Sequence, residues 1–355
     1  MRITKDNLID LYSDYLTCCC GLATATGMSA VLDEHISHDK ITRLLNSGEV
    51  NSKRLWLEAK PICEEISSSD GVLIIDDSVE EKPYTDCNEI IQYHFDHTVG
   101  RCVKGVNFIS AIYHSSDMSM PVGVEFIKKD LEVLDKNGKK KRKSSKSKHE
   151  HFRSLVGAAL KNVDFKYVLS DSWFACADNM KYIKEDCGSD FVMAMKENRK
   201  VALSWEDKKK GKYVSIKSIA PEGCVRTVYL EQLDFPISIS KQVFTNGDGS
   251  SGTLYLAASD LNLTYQQVST IYKKRWKVEV YHQSIKSNTA FPKSPTQTEV
   301  AQQSHFIASI IAFIKLETLR VRTQHNHFSL KKLILTHATK AAWYKWIDIN
   351  NQRAA

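Results

Sequence analysis

Apolar residues recur at helical spacing through the first part of the chain. Beyond residue 70 they gather into short continuous runs separated by polar breaks. Residues 5–66 therefore predict helices. Ser37 has the character of an N-cap, with Ile36 before it and Ile41 at the fourth helical position, the spacing of a hydrophobic staple. Ile41, Leu44 and Leu45 would face inward and Gly48 would end this helix, leaving His38, Lys40, Thr42 and Arg43 exposed. With the stretch 28–34 before it, the segment reads either as a helix-turn-helix whose second helix enters a major groove or as a plain helical hairpin.

From residue 71 strand signals take over. Residues 71–75, 106–113 and 122–127 are three apolar strand candidates. A helix is expected over 149–160, a strand over 165–170, a helix over 178–186 and a strand over 190–196. The order β-β-β-α-β-α-β predicts an α/β fold with a mixed sheet and helices on its faces. Residues 200–258 break the rhythm. Strands are expected at 212–219, 224–230, 236–244 and 252–258, with a glycine-rich turn at 246–252, so this part reads as an all-β insertion. Thr264 then caps a long helical stretch to about Ser287, and further helices are expected over 299–320 and 329–346.

Composition narrows the class. Of 355 residues, 42% are hydrophobic and 26% charged, an ordinary globular balance. The longest apolar run, 306–314, is far short of a bilayer span, so no membrane role is expected. Residues 1–6 begin no apolar leader segment, so no secretory signal is expected. Nine cysteines without CxxC spacing argue against a zinc site and for a reducing compartment, the cytoplasm. The net charge is +7, but residues 136–148 hold eight basic side chains and no acidic one, which leaves the remainder close to neutral. This basic arm, with its Gly and Ser content, reads as a mobile loop. It either neutralises phosphates or is simply solvated.

Three places carry candidate chemistry. Asp76 ends the first apolar run and Asp171 the run at 165–170, so both could reach one sheet edge, although an Asp after a strand is often only a turn residue. In the helical stretch after Thr264, Tyr272, Arg275, Glu279 and Lys286 are spaced +3, +4 and +7. On an uninterrupted helix they project within roughly 60° of one another. That face pairs a carboxylate with a guanidinium, an ammonium and a phenol. Alone, it could equally be an exposed amphipathic helix with a surface ion pair.

Taken together, these places resemble a known family. Tyr272-x2-Arg275-x3-Glu279-x6-Lys286 is similar to the Y-R-E-K motif of bacterial insertion-sequence transposases and of the cut-and-paste transposases of composite transposons, and Trp276 adds to the likeness. Asp76-Asp77-Ser78 resembles the family's first-aspartate motif and 168–174 its second. The register of the first favours Asp76 over its neighbour Asp77. The resemblance spans roughly residues 70–320 and implies a ribonuclease-H-like core at 69–199 and 260–325, split by the β insertion at 200–259. A helical N-terminal domain at 1–68 and a C-terminal helix at 326–355 complete the expected plan.

The implied function is DDE-type transposition. Asp76, Asp171 and Glu279 would be catalytic and bind two Mg²⁺ ions, with Mn²⁺ as a substitute, since hard cations take oxygen ligands. Tyr272, Arg275 and Lys286 would bind DNA phosphates. The implied partners are terminal inverted repeats, target DNA and a second subunit in a homodimer, in a bacterial nucleoid setting. Two rivals remain: a catalytically inactive, transposase-derived DNA-binding protein and a structure-selective nuclease of the same fold. Among weaker candidates, Lys82, Lys196 and Arg199 could approach the DNA backbone. Trp205 and Trp276 could stack on an unpaired base or simply pack. His94 and His97 could form a metal pair or be ordinary strand-edge histidines.

Overall fold

The computed structural model describes residues 4–96, 99–134, 137–245 and 247–353. His97, Lys136 and Asn246 lie outside the described residues. The elements in chain order are α1 (Lys5–Cys18), α2 (Ala25–Val31), α3 (His38–Leu45), α4 (Ser52–Glu65), β1 (Val72–Glu81), β2 (Ile91–Asp96), β3 (Arg101–Ser115), β4 (Met118–Phe126), β5 (Leu131–Leu134) and β6 (Lys140–Lys143). Next come α5 (Lys148–Leu160), β7 (Tyr167–Ser170), α6 (Ala177–Lys181) running into a π turn, β8 (Asp190–Met195), β9 (Lys200–Val201), α7 (Trp205–Lys209), β10 (Val214–Ser215) and α8 (Ile216–Ile219). The chain ends with β11 (Arg226–Val228), β12 (Ile237–Thr245), β13 (Ser251–Ala258), α9 (Tyr265–Lys273), α10 (Trp276–Asn288), α11 (Glu299–Thr323) and α12 (His327–Arg353). The architecture is mixed α/β.

The chain forms two compact units. One comprises Lys60–Ser78 and Phe108–Glu279. Its sheet runs β11-β12-β13-β8-β7-β1-β3, with β4 antiparallel to the second part of β3. β1, β7 and β8 are parallel, and β13 is antiparallel to β8. Val72, Leu73, Ile74 and Ile75 are fully buried, as expected of an interior strand with a parallel neighbour in β7 and cover on both faces. Phe152, Leu155 and Val156 of α5 are buried where that helix packs on β4, and the Phe152 ring stacks on Phe174 at 5.1 Å. The capping box of Ser147 and Glu150 starts α5.

Several expectations need correction here. β1 does not end at Asp76 but continues through polar residues to Glu81, because backbone pairing holds it extended where side-chain hydrophobicity no longer signals a strand. Residues 200–258 are not all-β: α7 and α8 lie within them, and 212–219 is a two-residue strand followed by a helical turn. Nor are they a separate body, since β13, β12 and β11 extend the main sheet from β8. The basic arm is not a loop throughout. Its residues 140–143 form β6, paired with β5 in a hairpin, and Lys148 opens α5.

The other unit comprises Met1–Ala59, Val79–Asn107 and Val280–Ala355. β2, which the apolar pattern does not announce, pairs with the first part of β3. Opposite Glu80, Gly105 allows an approach so close that a Cβ there would meet the Glu80 carbonyl oxygen at 2.1 Å. Ile36, Ile41, Leu44 and Leu45 are buried, and α3 ends at Leu45, before Gly48 with its positive φ. α11 forms the spine, packed on α1, α3 and α12. Among the described residues no helix is long and apolar enough to cross a membrane. The last part of α12 is exposed, including Trp343, Tyr344 and Trp346.

A fully buried histidine ties the spine to α1. His305 Nε2 lies 3.0 Å from the Ala290 carbonyl, which can only accept, so Nε2 carries the proton. Nδ1 then accepts from the Tyr12 hydroxyl at 2.9 Å. Burial, reinforced by the Lys82 charge, pushes the imidazole down from 6.5 to about 3. A lowered histidine pKa means that the unfolded chain takes up a proton between pH 6.5 and 3 while the folded one does not. Its contribution to stability therefore falls as pH falls through that window, by about 1.4 kcal/mol per pH unit. The difference in unfolding free energy between the parent and His305→Gln should change with that slope between pH 4 and 6 in urea titrations. Parallel pH profiles would show that His305 is not held neutral.

Candidate functional site

The register between β1 and β7 brings two acids together. Val72 pairs with Tyr167, Leu73 with Val168 and Ile74 with Leu169. Two residues beyond the last pair, the same offset sets Asp76 opposite Asp171. Side chains alternate along a strand, so Asp76 follows Ile74 on its face of the sheet. Asp171 is fixed by its own backbone: its Oδ1 accepts from the N–H groups of Trp173 at 3.0 Å and Phe174 at 3.4 Å.

The third acid arrives from the helices. Thr264 caps α9 through a capping box with Gln267. The expected single helix is interrupted: α9 ends at Lys273 and α10 begins at Trp276. In between, the chain tightens into i→i+3 bonds, from Arg275 N to Tyr272 O at 2.9 Å and from Val278 N to Arg275 O at 3.1 Å. The uninterrupted-helix projection therefore does not describe the four-residue motif.

Arg275, at the break, bridges two carboxylates. Its Nη1 lies 3.3 Å from Asp76 Oδ2 and 3.2 Å from Glu279 Oε1. Ligand oxygens of Asp76 and Glu279 are within 4.8 Å of one another. The guanidinium lies over the ring of Tyr272, 5.8 Å from its centroid. Tyr272 is itself buried, and burial pushes its phenol up to about 12. Lys286, farther along α10, belongs to the other unit, where its ammonium donates to the Val79 carbonyl at 2.8 Å and lies 3.8 Å from the Glu80 carboxylate.

The electrostatics are those of crowded anions. The Asp76 carboxyl is held well above the usual range, first by burial and then by the charge of Asp171, with Asp77 and Glu279 adding and Arg275 opposing. Asp171 is also raised, chiefly by burial. Such a pocket is short of positive charge, and its acids offer oxygen donors, which fits a hard divalent cation. Arg275 supplies one positive charge where a divalent ion would supply two.

Two nearby groups escaped the sequence reading. Lys148, the last residue of the basic arm, pairs with Asp77 at 2.6 Å. The signal available was Ser147-x-x-Glu150, a capping box that puts Lys148 in the first turn of a helix. Trp173 is 43% exposed, with Lys196 over its ring at 5.3 Å. Among the weaker candidates, Arg199 donates to the Ala175 carbonyl at 2.9 Å. Trp205 lies beneath Lys208 and Lys209, and Trp276 is 65% exposed. In the other unit, Lys82 is buried with its ammonium on the Pro292 carbonyl at 2.7 Å, and His94 is a buried residue of β2.

Comparison with known proteins agrees with a nuclease reading. A family model described as transposase DDE domain matches residues 138–314, a range that includes Asp171 and Glu279. A model described as DDE superfamily endonuclease matches residues 4–214, more than half of the chain, and that range includes Asp76 and Asp171. No curated protein matches the chain. The extent of the endonuclease match, over a mixed α/β fold with one acid on β1 and another just past the parallel β7, shows that the chain belongs to the DDE superfamily of endonucleases.

Proposed function

We propose that this protein is a DDE-type DNA transposase with a ribonuclease-H-like core, in which Asp76, Asp171 and Glu279 hold two Mg²⁺ ions. The observation that carries the reading is the convergence of three buried or half-buried acids. Asp76 faces Asp171 across the β1–β7 register, and Glu279 approaches Asp76 through a shared guanidinium. Bound divalent ions would supply the positive charge that activates the attacking oxygen and stabilises the leaving one.

The chain's own residues account for the rest. Asp76 and Asp171 present carboxyls from a rigid sheet, so their spacing is set by strand geometry. Glu279 is delivered by α10, and Arg275 holds it toward Asp76 in the absence of substrate. When a DNA strand enters, Arg275 can exchange a carboxylate for a phosphate, whose geometry its forked donors match equally well. Lys148 offers a point charge on the Asp77 side. Water attacks a phosphodiester at the transposon end, the P–O bond to the 3′ oxygen breaks, and a 3′-hydroxyl is freed. That hydroxyl then attacks a second phosphodiester, in the opposite strand or in target DNA. Terminal inverted repeats, target DNA and a second copy of the chain are the partners of this reading. The intact acidic set speaks against a regulator that has lost catalysis.

Glu279→Gln keeps the side chain's shape and removes its charge. Nicking of terminal-repeat DNA in Mg²⁺ should fall by at least about 100-fold, the scale of losing one preorganised charge at a reacting centre. Gel-shift affinity for the same DNA should stay within about threefold, since phosphate contacts carry the binding. A variant that nicks at the parental rate would remove Glu279 from the mechanism.

The two neighbouring aspartates separate in the same assay. Asp76→Asn should abolish nicking, whereas Asp77→Asn, which loses only the Lys148 pair, should retain most of it. The reverse outcome would transfer the ligand role to Asp77.

The basic arm tests binding. Replacing the five basic residues of 139–143 with glutamine should weaken binding to every DNA sequence. It should also flatten the slope of log affinity against log salt by about 0.9 for each phosphate that the variant no longer neutralises. An unchanged slope would mean that this strand of the hairpin only faces solvent.

A further inference from the structure

Trp173 follows Asp171 by two residues, and the hydrogen bond from its backbone N–H to Asp171 Oδ1 fixes its main chain relative to that carboxylate. Trp173 is half-exposed, while Phe174 beside it is fully buried. Folding thus encloses the phenyl ring and leaves part of the indole accessible.

The indole is nonetheless well supported. His149 lies nearly parallel to it, at 10° and 6.5 Å between centroids. His149 is held in turn by the edge of Phe174 and by Asn179, whose Nδ2 lies 3.2 Å from its Nδ1. Asn179 is fully buried and anchored by Arg153 at 2.9 Å and by the Phe174 carbonyl at 2.9 Å. An amide N–H can only donate, so Nδ1 accepts and the imidazole is neutral. Burial, with Arg153 adding, lowers its pKa in agreement. A neutral ring at this place does not repel the cation nearby.

That cation is Lys196, whose ammonium is 5.3 Å from the indole centroid. Lys196 directly follows β8 and Trp173 lies just past β7. Those strands are parallel with Ser170 opposite Met193, so both residues leave the sheet at its carboxyl end, the side where open α/β sheets take ligands. A half-exposed aromatic ring backed by a histidine, and an ammonium able to leave that ring, are the two groups needed for a base and its phosphate.

We infer that Trp173, with Lys196, is a stacking platform for one unpaired nucleobase of the strand being cut, next to the phosphate to be cleaved. This inference rests on the DNA-cleaving reading above. In a duplex both faces of a base are covered by its neighbours, so only a base that has left the stack can use this face. Trp173 therefore stabilises a distorted strand, and Lys196 moves from the ring to the phosphate that follows that base.

The test uses the full chain and two DNA probes. One is the terminal-repeat duplex, made fully paired and with a mismatch beside the cut. The other is a short single-stranded oligonucleotide, bound without metal. Trp173→Ala should slow nicking of the paired duplex at least about 10-fold and weaken single-strand binding about 10-fold, within the range for removal of one base stack. The mismatched duplex should be nicked at near the parental rate, because its base is already unpaired, and Trp173→Phe should restore both properties. If Trp173→Ala slows paired and mismatched duplexes equally, or leaves single-strand binding unchanged, the platform is refuted. If the parent nicks neither duplex yet Trp173→Ala still weakens single-strand binding, the cleavage reading fails and the platform stands. If the parent nicks neither and single-strand binding is also unaffected, both fall.

Discussion

Buried carboxylates repel one another, and this molecule places one on β1 and a second just past the neighbouring β7, with a third close by. Burial makes the crowding costly, because little water is present to screen it. One guanidinium makes the arrangement tolerable. Arg275 touches Asp76 and Glu279 at once, both through Nη1, so a single donor nitrogen links carboxylates from two different elements. Tyr272 lies beneath it and keeps it from swinging away. The break between α9 and α10 belongs to the same constraint, since it falls at Arg275 itself. Breaking a buried charge pair by removing one partner leaves an uncompensated charge, so the loop, the helix start and the acids depend on one another.

The N-terminus of α5 serves the same region from a second direction. Its first residue, Lys148, reaches Asp77, and its second, His149, stacks on Trp173. A capping box sets where that helix begins. A shift of its start by one residue would rotate both side chains by about 100°. The site is thus positioned by three kinds of local rule: strand register for the aspartates, a helix cap for Lys148 and His149, and a helix break for Arg275.

These rules were unequally visible in the sequence. The run 72–75 is apolar without interruption, and fully buried parallel strands look like that. The candidate acids Asp76 and Asp171 could be marked because each follows such a run. The strand continuing through Asp77–Glu81 was invisible, since its polar side chains carry no period and its extended form comes from pairing. β2 and the β5–β6 hairpin were missed for the same reason: lysine-rich or mixed segments become strands only when a partner is available. α7 and α8 are single turns, set by Ser204 and Ser215 as caps rather than by periodicity. The break at Arg275 had no glycine or proline to announce it. The spacing of the four-residue motif was legible, but its projection assumed a continuous helix.

The order in which these acids occur along the chain has a further consequence. Asp76, Asp171 and Glu279 follow one another at intervals of about 100 residues, contacts that close late because long loops must be ordered first. β1 and β7 both leave the ribosome before α10 has been synthesised. At that stage the cluster lacks both Glu279 and the Arg275 that neutralises it. Chains released early by a frameshift or a stop codon before α9 would therefore lack both the third acid and the guanidinium that meets the first.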